Sequence, residues 1–519
     1  MKMTLGTSLG LVAVAFAAAC GEPEPSDSLD PVLKGEIEDA LARFDADPRS
    51  FMNALPQKVG APSPAFSPSV VKSLDYISAK NARRQDGPAD APGSNDQAKN
   101  LVDNLQLTNL ADMHSIRSAS LPESAWSSDY WAIYAGVIAK RYTDPNFPSS
   151  EDWKVLTDYV RSKQPSNPDD LSPAEKYDLL VGDTSKTMTK HNLDEGQYYY
   201  SSYGKVETWM GICHGWAPAS FMIQRPTKAI EVLAADGKTK IKFYPSDVKA
   251  LASLLWANAS PTTKFIGGRC NVKNPATDAN GRIKDQACRD TNAGTWHLAV
   301  VNQIGKSQRS MVIDATYDYE VWNQPMYSYS YSYFNPQTNK AYSTLSYAKV
   351  AVADYTTDKF KSYRAPGTTH IVGVSMDVRW TVETYPSHST TDSASRDAIS
   401  GARYLYTLEL DAAGKIIGGE WIGDSRYNHP DFLWLPVQKR EATVAGVITY
   451  ANVRKLFDLA ADPTWRTQIT DPAVVLELAQ QMLVWRSRHA DRTLTDMLVR
   501  DGGVGRFPAE PMFVDTPLP

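Results

Sequence analysis

The segment from Thr295 to Tyr317, TWHLAVVNQIGKSQRSMVIDATY, constrains the fold of this chain more than any other. It holds two apolar runs parted by a short polar stretch around Gly305-Lys306, the pattern of two buried strands joined by a hairpin. If Gly305-Lys306 forms a two-residue type II′ loop, His297 stands directly opposite Asp314 on one face of the sheet. Their Cβ atoms would then lie about 4.5–5.5 Å apart, close enough for the carboxylate to accept the imidazole N–H. Strand-like alternation continues to Trp434, including Tyr404 to Leu410 and Ile416 to Trp421 around the turn Ala412-Ala413-Gly414-Lys415. Helical spacing marks Val32 to Phe44, Glu151 to Ser162, Ser172 to Val181 and, in the tail, Val453 to Leu459 and Val474 to Trp485. Ser172-Pro173-Ala174-Glu175 is a helix N-terminus signature, with Ser as cap and Glu reaching back to the cap amide. The fold class expected is α+β.

A second segment, ETWMGICHGWAPASFMIQRP, places Cys213 after Gly211 and ahead of a small, apolar run that stops before Pro226. It reads as a loop feeding a buried helix. A thiol at a helix N-terminus faces the positive end of the dipole and unpaired amides, which favour a thiolate and later an oxyanion. Pro218 fits only in a first helical turn, so the helix is expected to begin at or just after Cys213. Cys213, His297 and Asp314 together supply the nucleophile, base and orienter of acyl transfer through a thioester. Each also has a structural explanation: a buried inert thiol, a satisfied strand histidine, a carboxylate ending a strand. His214 competes as the base, and Asp318 is a weaker substitute for Asp314.

With 519 residues, 42% of them hydrophobic, the chain can form two or three compact units. A net charge of -5 without any block of like charges excludes a nucleic-acid footprint. No histidine, cysteine or acidic cluster has metal-ligand spacing, so neither metal nor cofactor is expected. The N-terminus, MKMTLGTSLGLVAVAFAAAC, reads as an export signal over residues 1–20. Its Ala-Ala-Ala-Cys end suits lipidation of Cys20 and attachment to the cell envelope, and it equally permits plain secretion. Cys270 and Cys288 flank a polar, Gly- and Asn-rich loop that a disulfide would stabilise by about 3 kcal/mol. That leaves Cys213 free. Residues 21–100 read as a tether, a short helix and a Pro/Ser-rich linker that is disordered from about Ala61; 101–345 form the catalytic core, 346–440 a β-rich extension and 441–519 a helical tail. The repeat MYSYSYSYF, from Met326 to Phe334, alternates Tyr and Ser with period two. As a strand it would show its tyrosines on one face, either packed on neighbours or walling a substrate groove.

The order Cys, His, Asp-x-Thr resembles the core of the transglutaminase and papain-like superfamily. More closely, GICHGWAPAS, the CRD ahead of His297, VIDAT and VWNQP (Val321 to Pro325) resemble the transglutaminase elicitor family. LSPAEKYDLLVGD, IIGGEW and HPDFLW extend the likeness over Leu121 to Leu435. After Pro325 the chain departs into its Tyr-Ser repeat, so the defence-eliciting property of that family is not carried over. The resemblance implies a nucleophile helix packed on an antiparallel sheet, with Cys213 as nucleophile, His297 as base and Asp314 as orienter. It further implies oxyanion binding by the Cys213 backbone N–H, with the Trp209 indole as an added donor or merely a packing residue. The activity implied is protein-glutamine γ-glutamyl transfer to a lysine or other primary amine on protein or peptide substrates. Water as acceptor would make the same site an amidase or peptidase, and a silent site would leave a lipid-anchored binding protein. Trp209, Trp216, Trp296, Trp322 and the tyrosines of 327–333 are the aromatics available to shield a thioester from water.

Overall fold

The computed structural model describes residues 29–46, 96–150, 152–258, 263–268, 290–315, 320–426 and 428–436, with a few isolated positions besides. Stretches of alternating apolar residues pair into a ten-stranded antiparallel sheet. Its spine runs through β4 (Thr263–Gly267), β5 (Met311–Asp314), β6 (Asn323–Asn335), β9 (His370–Val382), β10 (Ala398–Leu410), β11 (Ile416–Trp421) and β12 (Phe432–Pro436), in the order β11-β10-β9-β6-β5-β12-β4. The short strands β1 (Ser118–Ser120) and β7 (Lys340–Tyr342) add to β6, and β8 (Lys349–Ala351) adds to β9. A separate ribbon pairs β2 (Ile230–Leu233) with β3 (Lys240–Phe243). The β10–β11 hairpin expected around residues 412–415 is present, with Gly414 at φ +80 in its turn. Because β6 pairs with β9, strands on both sides of residue 345 belong to one sheet.

The helices are α1 (Pro31–Ala46), α2 (Trp153–Ser162), α3 (Pro173–Val181), α4 (Thr187–Tyr203), α5 (Cys213–Met222), α6 (Pro245–Asn258) and α7 (Ala293–Val300). The capping box of α3 forms as its sequence foretells: Glu175 N donates to Ser172 Oγ at 3.2 Å and Ser172 N to Glu175 Oε2 at 3.1 Å. Helix α5 begins at Cys213, but Pro218 lies in its second turn and not its first. There it removes the amide that would bond the His214 carbonyl. Close packing against α6 holds this helix in place. A Cβ at Gly215 would lie 2.1 Å from the Ser253 carbonyl oxygen, so only glycine lets the two backbones approach this closely.

The sheet separates two cores. On β5 and β12, Val312, Phe432 and Trp434 pack with α5, α6 and the irregular segment bearing Trp126 and Trp131. Their neighbours Met311, Ile313, Leu433 and Leu435 pack on the other face with α7. Tyr329, Tyr331 and Tyr333 belong to that second core, so the tyrosine face of the repeat is packed on neighbours.

The expected hairpin over 295–314 does not form. Residues Ala293–Val300 are α-helical and continue as a π-helical turn over Val301–Lys306, so Gly305-Lys306 ends a helix and joins no strands. A continuous apolar run cannot by periodicity distinguish a buried strand from a buried helix. The deciding local signals are Asn292, whose side chain caps the helix by accepting from Gly294 N at 2.8 Å, and Gly294 itself. A Cβ on Gly294 would meet the Gly418 carbonyl oxygen at 2.5 Å, which seats α7 directly on β11. The expected linker also ends earlier than residue 100: Ala98 and Leu101 are buried in the second core, and Asp96 Oδ2 accepts from Asn292 N at 2.7 Å. Cys20, Cys270, Cys288, Asp318 and most of the tail lie outside the described residues.

Candidate active site

Cys213 is the first residue of α5 and only 3% exposed. The chain reaches it through Gly211 and Ile212, tied down where Ile212 N donates to the Tyr130 carbonyl at 2.7 Å. The strand β6 supplies what faces the sulfur. Asn323 Nδ2 donates to Sγ at 3.5 Å, and the thiol can donate to the Val321 carbonyl at 3.6 Å. The Asn323 amide is held in that orientation because its Oδ1 accepts from Trp434 Nε1 at 2.8 Å. Asp314 pairs with Asn323 across the β5–β6 ladder, is fully buried, and accepts from Trp322 N at 3.0 Å. The Trp322 ring lies 5.4 Å from that of Tyr130, and its Nε1 donates to Glu320 at 3.0 Å.

Burial pushes the Cys213 thiol up to about 11; the Asn323 hydrogen bonds oppose this, while the Glu383 and Asp314 charges reinforce it. Desolvation thus opposes the thiolate that the helix N-terminus favours. Glu383 is a second, half-buried carboxyl whose charge reaches the sulfur. Gln324 Nε2 bonds both of its oxygens, at 2.9 and 3.1 Å, and burial raises it to about 7.

The structure brings Cys213 and Asp314 into one site, but not His297. That histidine sits on α7, across the sheet, because α7 packs on the face of β5 and β12 opposite to α5. Its Nδ1 is 2.8 Å from the Tyr406 hydroxyl, its ring stands edge-on to Tyr331 at 4.8 Å, and burial lowers it to about 3. His214 is half-buried beside Cys213, and desolvation lowers it to about 4 against a hydrogen bond to the Ala257 backbone. The Trp209 indole donates to Glu207 at 2.6 Å, so that N–H is engaged by a carboxylate. Trp216 and Trp296 are fully buried in the two separate cores and wall no channel, whereas Trp322 is only partly buried beside Asp314.

A small cavity opens beside Cys213 between α4, α5 and α6. Cys213, His214 and Val321 form one part of its wall, and His191, Asn192, Glu195 and Tyr199 of α4 form another. Sequence reasoning missed this wall and missed Asn323. The signals were present: residues 191, 195 and 199 recur at one-turn spacing on α4, and Asn323 is the asparagine of VWNQP.

A first-turn cysteine on a helix packed against an antiparallel sheet defines a papain-like, transglutaminase-type core. The family model of the transglutaminase elicitor matches residues 100–462, and the chain belongs to that family. Among solved structures, the chain is similar to the GP42 transglutaminase from Phytophthora sojae. Identity is 25%, the match covers 68% of this chain and 94% of that one, and the TM-score is 0.51. No curated protein matches the chain.

Proposed function

We propose that the chain is a transglutaminase-type acyltransferase with Cys213 as nucleophile. The thiol attacks the carbonyl carbon of a glutamine carboxamide, ammonia leaves with the thiol proton, and a primary amine displaces the sulfur to give a secondary amide and the free thiol. The observation that carries this reading is the convergence on one sulfur of a helix N-terminus and of the strand pair bearing Asn323 and Asp314. The similarity to the GP42 transglutaminase supports it. Since burial favours the protonated thiol, the reaction needs an acceptor on the α5 face of the sheet. Asp314 and Glu383 from the sheet side, and His191, Glu195 and His214 from the cavity, are candidate acceptors there. His297, across the sheet, has a structural part in this scheme, bonding Tyr406 within the second core. Export and lipidation at Cys20 belong to the same reading and rest on the N-terminal sequence.

The test is incubation of the protein with a glutamine donor and a labelled primary amine, read by mass spectrometry. Incorporation that is lost in Cys213→Ala is expected. Ammonia release without incorporation would make water the acceptor and the protein an amidase; neither product would leave a binding protein on this fold.

A further inference from the structure

We infer that the cavity between the β9–β10 connection and the start of α6 is a subsite for one pyranose ring of a neutral glycan, held by Asp129, Lys249 and Arg396 and stacked on Tyr385. It shares no lining residue with the cavity beside Cys213 and does not depend on acyl transfer there.

The cavity encloses about 120 Å³. That is room for about eight waters, which suits a ligand of one sugar ring. Its walls are tied down. In the connection after β9, Thr384 N donates to the Ser128 carbonyl at 2.9 Å, Ser387 N to Ser246 Oγ at 3.0 Å and Asp392 N to the Thr227 carbonyl at 2.9 Å. Arg225 braces the far end, meeting Asp392 at 3.1 Å and Asp397 at 2.5 Å. A preformed site spares the ordering cost of binding.

The chemistry of the lining selects the ligand. Eight of the fourteen lining residues carry a hydroxyl group, and each hydroxyl can donate or accept. Two acids, Asp129 and Asp392, share the wall with two bases, Lys249 and Arg396, so a ligand of either charge meets a like charge. A neutral polyol meets none. Hydrogen-bonding capacity is left over for it. Asp129 is 6% exposed; its Oδ1 accepts from Trp131 N at 3.1 Å, while Oδ2 lies 3.9 Å from Lys140 Nζ, beyond hydrogen-bonding reach. Burial raises the Asp129 carboxyl, a shift that a hydroxyl donor would offset. Lys249 is 5% exposed and directs two of its three N–H groups to the Ser127 carbonyl at 2.8 Å and Asp392 at 2.7 Å. One sugar hydroxyl donates to Asp129, and a neighbouring one accepts from Lys249 or from the exposed Arg396. Tyr385, 93% exposed, offers its ring to the C–H face of the sugar.

The experiment is isothermal titration of the full chain with methyl β-D-glucopyranoside. Saturable binding with a dissociation constant on the order of 1 mM is expected, unchanged in Cys213→Ala. Tyr385→Ala and Arg396→Ala, both at exposed positions, should each weaken it about fivefold, and Asp129→Asn about tenfold. Methyl β-cellobioside should bind at least as tightly, and its exclusion would overturn the glycan. Tighter binding of glucuronate, glucosamine or glycine would assign the cavity to a charged ligand and overturn the proposal. So would the absence of saturable binding, or variants that bind as wild type does. Should Asp129→Asn fail to fold, the two surface variants still decide. Amine incorporation without sugar binding rejects this subsite alone; sugar binding without incorporation rejects acyl transfer alone.

Discussion

At the scale of single residues, Cys213 sets burial against the helix terminus. A thiol pushed up to about 11 is ionised to only about one part in ten thousand at pH 7. Thiolate is the reactive form, so the alkylation rate of Cys213 in the folded protein should rise about tenfold per pH unit from 7 to 10. An ordinary exposed thiol levels off near 9. Measuring iodoacetamide labelling at Cys213 across that range checks this, and a plateau below pH 9 would mean that a neighbouring base already holds the proton. Donor substrate should shift the profile toward lower pH if its binding brings an acceptor to the sulfur. Asn323 should matter in the same assay. Asn323→Ala removes a donor that favours thiolate and leaves the Trp434 indole without its acceptor, so its labelling should be slower than wild type at every pH.

At the scale of elements, the site depends on how closely α5 approaches α6. Gly215→Ala would drive a methyl group into the Ser253 carbonyl, and overpacking of this kind costs about 1–3 kcal/mol. Urea unfolding should show that loss, with amine incorporation falling further because the displaced helix carries Cys213, the proposed nucleophile. The start of α5, the capping box of α3 and the β10–β11 hairpin were legible in the sequence because each depends on short-range chemistry: a glycine-led loop, a Ser-x-x-Glu box, a Gly turn. Helix α7 was not legible as such, since TWHLAVVNQI is apolar all round and its seat on Gly418 is a contact across more than a hundred residues. Reading it as a strand put His297 beside Asp314 on paper; the helix puts it across the sheet. The placements of Asp314 on β5 and Cys213 on α5 do not depend on that reading, because they rest on local patterns of their own.

At the scale of the whole molecule, the Cys213 side of the sheet is braced by buried ion pairs that tie segments far apart in the chain. Arg141 NH2 meets Glu175 at 2.6 Å, and Lys176 meets Asp247 at 2.7 Å with both side chains fully buried. Asp247 also accepts from the Tyr142 hydroxyl and from Tyr244 N, each at 2.8 Å. Asp247→Ala would strand the Lys176 ammonium in the interior, a loss of about 3–5 kcal/mol that denaturant unfolding would detect. Truncating an exposed pair such as Lys240–Glu231 should cost less than about 1 kcal/mol. The two cores divided by the sheet give the chain's numbering a parity along β5 and β12. Even positions there, 312, 314, 432 and 434, border the sulfur's compartment, and odd ones, 311, 313, 433 and 435, border the tyrosines. Variation can therefore be sorted strand by strand into two independent channels, one that retunes chemistry and one that retunes robustness, with a single peptide bond separating them.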